Sequence, residues 1–294
     1  MTCFETLPPP RTIAYQGEPG AHSHDACQKI YARAETQPYP SFQETINAVR
    51  TGTAELGLLP VDNSIAGRVA DVHHLLPSSG LTVTGEFFLP VEHHLLVIPG
   101  TRLKDLTHVH SHIHALGQCR KMIYEKGWKA VISVDTATAA REVAARETPQ
   151  HGAIGSAAAA KLHALEILKR NIQDRPRNTT RFLLMRHARK SETLWSPMQG
   201  VTLTSFFFEV RSVAAALYKA LGGFATNGVN LIKLESYLGG DGFEQASFFA
   251  EIEGHPHEPR VAAAFDELTH FSRQLKIMGV YPAADHRHES AAAP

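Results

Sequence analysis

The sequence predicts an α/β protein of two lobes followed by a separate βαββαβ unit of the ferredoxin-like kind. Three observations predict it. From Thr12 to Met185 short apolar strands alternate with helices, the pattern of mainly parallel sheets covered on both faces. That series runs twice, separated by two long strand-like segments, Leu81–Leu89 and Val91–Ile98, and is closed by a late strand near 181–185. After a basic, turn-rich stretch the order changes to strand, helix, strand, strand, helix, strand.

Residues 1–10 end in Pro8-Pro9-Pro10 and read as a disordered lead. Thr12–Tyr15 is a predicted strand, followed by the turn Gly17–Gly20 and a helix through about Ala32. Ser41 and Glu44 have capping-box spacing, and the helix they start stops before Gly52. Glu55–Val61 has the nearly continuous apolar run of a buried strand, and a helix is expected over Gly67–Leu76, ended by Pro77. The alternation then gives strand Thr107–Ser111, helix Ala115–Lys126, strand Val131–Val134 and helix Thr136–Arg146. Strand Gly152–Gly155, helix Ser156–His163 and strand Arg181–Met185 follow. Turn residues then bound strands Val201–Val210, Asn230–Tyr237, Gln245–Glu253 and Gln274–Tyr281, with a turn at Gly239–Gly242 and helices at Ala214–Phe224 and Pro259–Phe271. The expected organisation is a two-lobed domain at 11–187, with lobes at about 11–92 plus 178–187 and at 93–177. A linker at 188–200, the βαββαβ unit at 201–281 and a disordered tail at 282–294 complete it.

A chain of 294 residues can bury two ordinary cores. Lys+Arg and Asp+Glu balance at 29 each, which gives no electrostatic case for nucleic acid or an anionic membrane. No apolar run reaches the roughly 18 residues of a spanning helix. Met1–Leu7 lacks a basic and then apolar leader pattern, and Cys3, Cys27 and Cys119 are too scattered for a disulfide framework. A cytoplasmic location is the expectation. His108, His110, His112 and His114 alternate, and on one strand they would share a face and could gather a metal. No Asp or Glu interleaves them, so no metal site is expected.

The polar run Asn178-Thr179-Thr180-Arg181 enters the apolar strand Phe182–Met185. A Thr hydroxyl and a fixed cation there suit a ligand carrying a carboxylate, which the guanidinium fork matches. The same residues also suit an Arg in a structural ion pair at a strand end. Asn63 and Ser64, Ser111 and His112, and Thr136 sit where strands give way to helices, the places of preferred caps. Together they fit a cleft that reads a small polyanion. The glycines and Ser23 at 17–23 could add free backbone N–H groups to it.

These motifs resemble the prephenate dehydratases that carry a C-terminal ACT regulatory domain, over about residues 11–281. Ile13–Gly20 with Ser23 resembles the family's opening glycine motif, and Pro60–Ser64 with Gly67 and Val69 its proline–acid–Asn–Ser motif. Ser111-His112 through Gln118-Cys119, Thr136-Ala137, Ala153–Ser156, and Asn178 with Thr180-Arg181-Phe182 are similar to its later signatures. Asp62 replaces the commoner Glu, Ile113 and His114 replace Pro-Gln, and Tyr237-Leu238 stands where the effector motif commonly reads Arg-Pro.

The resemblance implies a bilobal, periplasmic-binding-protein-like catalytic domain that turns prephenate into phenylpyruvate without metal, nicotinamide or flavin. It implies Thr180 at the leaving hydroxyl and Arg181 at a substrate carboxylate. Asn63, Ser64, Ser111, His112, Thr136 and Phe182 would surround the substrate, Phe182 packing beneath it and His112 in reserve as a proton donor. It further implies feedback by L-phenylalanine at Ala215, Ala216, Leu217, Asn230, Leu234, Glu235 and Ser236. Strand Val201–Val210 carries apolar residues in both registers (Phe206, Phe207, Phe208) while both helices of its unit lie on one side. Self-association to a homodimer or homotetramer is expected to bury the remaining face and edge. An arogenate dehydratase and a non-catalytic amino-acid or keto-acid sensor are the alternatives.

Overall fold

A computed structural model gives the structure of residues 7–188, 200–239 and 245–287. The expected linker, apart from its end residues, and the turn at 240–242 lie outside the described residues. The chain divides into two compact units, one of Pro9–Val72 with Phe88–Phe182, the other of residues through Pro8, His73–Phe87 and Leu183–Pro294.

In the first unit β1 (Thr12–Gln16) pairs in parallel with β2 (Glu35–Tyr39) and β3 (Leu56–Asn63), with α1 (His22–Ile30) and α2 (Phe42–Thr51) as crossovers. The Ser41 hydroxyl caps α2 by accepting the Glu44 N–H, and Gly52 ends it at φ 83°. The polar strand β2 escapes a hydrophobicity reading, and its Pro38 is tolerated because β2 is an edge strand. Residues 67–76 are not one helix. β4 (Gly67–Arg68) folds back on Asp62 and Asn63, α3 spans only Ala70–Leu75, and a 3₁₀ turn covers Leu76–Ser78.

Strand β5 (Leu81–Pro90) leads to β6 (His94–Val97) and the second sheet. There β7 (His108–Ser111) is followed by α4 (Ile113–Gln118) and α5 (Arg120–Lys126), two helices meeting at Cys119 where one was expected. β8 (Lys129–Ile132) begins two residues before its expected start. α6 (Thr136–Arg146), β9 (His151–Gly155), α7 (Ala157–Leu162) and β10 (Glu166–Lys169) complete the lobe. The strand order is β10-β6-β9-β7-β8. Because β7 stops at Ser111, only His108 and His110 belong to it; His112 and His114 lie at the start of α4, so the four do not share one face. β11 (Thr179–His187) then returns to lie beside β3.

The second unit contains β12 (Thr202–Val210), α8 (Ala216–Thr226), β13 (Leu231–Gly239), β14 (Gln245–Glu253), α9 (Pro259–Phe271) and β15 (Ser272–Pro282), the βαββαβ order expected. Its antiparallel strands run β13-β14-β12-β15. Phe206, Phe208, Phe224, Phe248 and Phe265 pack between sheet and helices. Phe207, in the other register, meets Tyr237, whose hydroxyl lies 2.6 Å from His73 Nδ1. The opposite face, expected to need a second copy, is thus covered in part by this chain's own residues.

Strand β15 also pairs with β5, at Gly279 and Val83, where a Cβ on Gly279 would stand 2.1 Å from the Val83 carbonyl oxygen. Only glycine permits that approach. Residues 283–287, expected to begin a frayed tail, carry the Arg287 fork, which reaches Glu86 Oε1 at 2.6 Å and Oε2 at 2.8 Å. Glu251 Oε2 lies 3.6 Å from the same guanidinium, and both acids have 0% side-chain exposure. The rest of the expected tail, 288–294, lies outside the described residues, as do residues 1–6 of the lead. Pro8, inside that lead, accepts a 2.8 Å hydrogen bond from Arg186. No described helix is long and apolar enough to cross a membrane.

Removing Arg287 strips a cation from two buried carboxylates, so Arg287→Met is expected to destabilise the fold by about 3 kcal/mol. Urea unfolding of the variant with an unchanged midpoint would contradict this account of the tail.

Candidate active site

Strand β3 ends in Asp62 and Asn63, β11 begins at Thr179, and the two lie side by side. Ser64 closes the junction: its N–H donates to the Thr179 carbonyl at 2.9 Å, and its hydroxyl accepts the Thr179 N–H at 2.9 Å. The Asn63 carboxamide does more. Its oxygen accepts the N–H groups of Ile65 at 3.0 Å and Ala66 at 2.8 Å, an Asx turn. With the oxygen so held, its NH₂ must point the other way, and it donates to Thr180 Oγ1 at 2.9 Å and Asn178 Oδ1 at 2.7 Å. The Thr180 hydroxyl is therefore an acceptor toward Asn63. Its own proton is left without an acceptor among the described residues and is available to a ligand.

The network runs deeper. Asn178, 3% exposed, donates to Gln118 Oε1 at 2.8 Å, and His93 Nε2 lies 2.8 Å from the same oxygen. That oxygen can only accept, so His93 carries its proton on Nε2. Burial pushes the His93 pKa down, which keeps the ring neutral. His22, edge-on to it at 5.7 Å, is lowered to about 3 by burial first and by His93 second. The Gln118 amide nitrogen is turned away from both donors.

Arg181 occupies a different position. Successive residues of a strand project to opposite faces. Asn63 meets Thr180 on one face of the β3–β11 pair, and Asp62 meets Arg181 on the other. Arg181 is 5% exposed, and its Nη1 lies 3.4 Å from Asp62 Oδ2. Of the two readings open from the sequence, the geometry gives the ion pair and does not set the guanidinium beside the Thr180 hydroxyl.

The other expected site residues divide. Ser111 is fully buried and its hydroxyl donates to the Ile154 carbonyl at 2.6 Å, so it has no proton to offer a substrate. Phe182, 1% exposed, is core. Thr136 opens α6 beneath the cap Asp135, and His112 caps α4, its Nδ1 accepting the His114 N–H at 3.4 Å. Neither is hydrogen-bonded into the Thr180 network. Burial, then the neighbouring His114, lower the His112 pKa. In the opening glycine loop the Gly20 N–H is taken by His24 Nδ1 and its carbonyl by the Ser156 hydroxyl, so at Gly20 the loop is tied to α1 and to the start of α7. The sequence alone gives no role to Gln118 or His93. Their signal is chemical: an amide and an imidazole beside strands and helices that are otherwise buried. Among the described residues no three His, Cys, Asp or Glu side chains gather as metal ligands.

In the C-terminal unit Ala215 takes φ 58° before α8, and the Ala216 N–H is committed to the Val213 carbonyl at 3.1 Å. Asn230 donates to Glu253 at 3.0 Å. On edge strand β13, Leu234 is exposed and Glu235 is 3.3 Å from Lys233 Nζ, so this carboxylate already holds an amine. Ser236 is exposed on the same strand, and Leu217 is half-buried on α8.

A family profile described as prephenate dehydratase matches residues 13–190. A bifunctional N-acyl-homoserine lactone acylase/prephenate dehydratase of Komagataeibacter europaeus is 47% identical over 277 residues, 94% of this chain and 98% of its own length. Two solved structures are similar. One, described as a novel type of quorum-quenching acylase, has TM-score 0.88 and 45% identity over 94% of this chain and 100% of its own. The other, a prephenate dehydratase of Arthrobacter aurescens in complex with L-phenylalanine, has TM-score 0.83 and 27% identity over 93% of this chain and 90% of its own. With sequence, fold and the β3–β11 motif in agreement, the chain belongs to the prephenate dehydratase family.

Proposed function

We propose that the chain is a prephenate dehydratase, a carbon–oxygen lyase of L-phenylalanine biosynthesis that L-phenylalanine inhibits through an ACT-type C-terminal unit. The observation that carries the catalytic part is the Thr180 hydroxyl, which accepts from Asn63 and so keeps its own proton for a ligand. In the reaction the bond from ring carbon to carboxylate breaks and its electron pair aromatises the ring. The ring C–O bond breaks at the opposite carbon, and hydroxide leaves, becoming water on protonation. Thr180 donates a hydrogen bond to that leaving oxygen. A threonine is too weak an acid to do more alone, so the proton comes ultimately from solvent. Aromatisation drives the step, and the chemistry requires no cofactor. Asp62 and Arg181 hold the two strands in register from the other face.

Thr180→Ala is expected to lower kcat for prephenate about 100-fold with a smaller change in KM. Unchanged kcat with a large rise in KM would make Thr180 a binding group. Comparing initial rates on prephenate and arogenate decides which of the two is the substrate. A protein that binds prephenate but forms no phenylpyruvate would instead be a sensor.

The effector site rests on the L-phenylalanine complex of the Arthrobacter aurescens relative, on the exposed Leu234, and on Glu235 beside an amine in β13. Leu234→Glu in the full chain is expected to raise the midpoint of phenylalanine inhibition at least tenfold; an unchanged midpoint would move the effector site elsewhere. Strand β13 has a partner on one side only among the described residues, which supports a homodimer or homotetramer joined along that edge. Light scattering at micromolar concentration is expected to give at least a dimer, and a monomer would refute it.

The relatives at 47% and 45% identity favour a second reading, hydrolysis of the amide of an N-acyl-homoserine lactone to a fatty acid and homoserine lactone. Release of homoserine lactone by the pure protein, retained in Thr180→Ala, would show that activity and place it outside the Thr180 network.

A further inference from the structure

Prephenate carries two carboxylates: one leaves as carbon dioxide, and one survives on the three-carbon arm. Arg181 lies on the face of the β3–β11 pair away from Thr180 and is paired with Asp62, which leaves room for a second cation, on another element, to serve this dianion. A cavity of about 310 Å³ is lined by Ile65, Gly117, Gln118, Arg120, Asp174 and Arg175. Two of these belong to the Thr180 network, for the Ile65 N–H holds the Asn63 oxygen and Gln118 receives Asn178. The rest of the lining is mainly cationic. Arg120 opens α5, and Arg175 lies in the loop before β11, which is fixed to the end of α4 by the Asp174 N–H donating to the Gln118 carbonyl at 2.7 Å.

Both arginines are exposed, and among the described residues neither has an ion-pair or hydrogen-bond partner. Asp174, the acid in the lining, faces α5, where its two oxygens lie 3.2 and 3.4 Å from the Lys121 N–H. Two arginines and one aspartate leave the lining one positive charge in excess. The cavity therefore joins a cationic end to an amide whose NH₂ is turned away from its own hydrogen-bond donors.

We propose that Arg120 and Arg175, with the Gln118 amide, form the receptor for the surviving carboxylate of a dicarboxylate substrate; this rests on the chain being a prephenate dehydratase. The assignment to the surviving group follows from catalysis. A cation gripping the departing carboxylate would stabilise the ground state more than the transition state, in which that charge moves into the ring. A grip on the arm binds both states alike and leaves the reacting bonds free. Guanidinium forks suit the task because they offer paired, charge-assisted donors.

The product separates this site from the rest, because phenylpyruvate retains only the arm's carboxylate. In the full chain, Arg120→Gln and Arg175→Gln are each expected to raise the calorimetric Kd for phenylpyruvate about tenfold, the scale of one lost charge-assisted hydrogen bond. KM for prephenate should rise more than kcat falls, and the dependence of kcat/KM on ionic strength should weaken. Both positions are exposed, so the melting temperature should hold; should one variant fail to fold, the other carries the test. Wild-type turnover of prephenate with phenylpyruvate Kd and prephenate KM unmoved in both variants overturns the proposal and leaves the dehydratase reading standing. Wild-type binding of phenylpyruvate that the variants weaken, without any turnover of prephenate, supports the receptor and sinks the dehydratase reading.

Discussion

The candidate site depends on one side chain, the Asn63 carboxamide. Its oxygen is fixed by two backbone N–H groups of its own turn, and that fixes the direction of its two donors. One donor orients Thr180 and the other passes order to Asn178, Gln118 and His93. Every group along this path has its role set by the one before it. An aspartate in its place would keep the turn but offer acceptors where Thr180 and Asn178 need donors, so shape alone does not define the position. The neutral state of His93 fits the same logic. Burial holds its pKa down, and with one proton it donates to Gln118 while its buried Nδ1 has no hydrogen-bond partner among the described residues.

The second constraint is the way the chain is threaded. Segment 73–87 and the strand after Phe182 belong to the unit of the βαββαβ fold, although both are embedded in the sequence that the family profile matches. Within that unit β15 lies on β5 through the bare backbone of Gly279, Lys276 Nζ donates to the Pro77 carbonyl at 2.7 Å, and Arg287 neutralises Glu86. Tyr237, the residue that departs from the commoner Arg-Pro pattern, meets His73 on the same side. Helix α3 starts in one unit at Ala70 and ends in the other, and β4, just before it, pairs with Asp62 and Asn63.

Much of the fold was legible because apolar periodicity and caps report burial and helix ends. Strand Gln245–Glu253 and helix Pro259–Phe271 were placed to the residue. β2 and β10 were not legible, since Glu35-Thr36-Gln37-Pro38-Tyr39 and Glu166-Ile167-Leu168-Lys169 are edge strands with little apolar alternation. At the site, Thr180 and Asn63 carried their signal in residue type. The separation of Thr180 from Arg181 was available in principle, as neighbours on a strand face opposite ways, but the motif reads as one unit and hides it. Arg287, within a stretch of small and polar residues, gave no local sign of its two buried partners. Long-range electrostatics of that kind has no period to detect.

The contact between Gly279 and Val83 bears on how such proteins are assembled in evolution. A unit appended as a detachable cassette would share only a tether with the sequence before it. In this chain the last described strand adds itself to a strand nearly two hundred residues earlier, and the residues after it supply a missing charge. Inheriting the unit therefore requires a matched pair of sequences: a bare backbone at 279 against the strand at 83, and an arginine at 287 against the acid at 86. Recombination between relatives at the 188–200 boundary would separate those pairs, so donor and recipient must already agree at positions about two hundred residues apart.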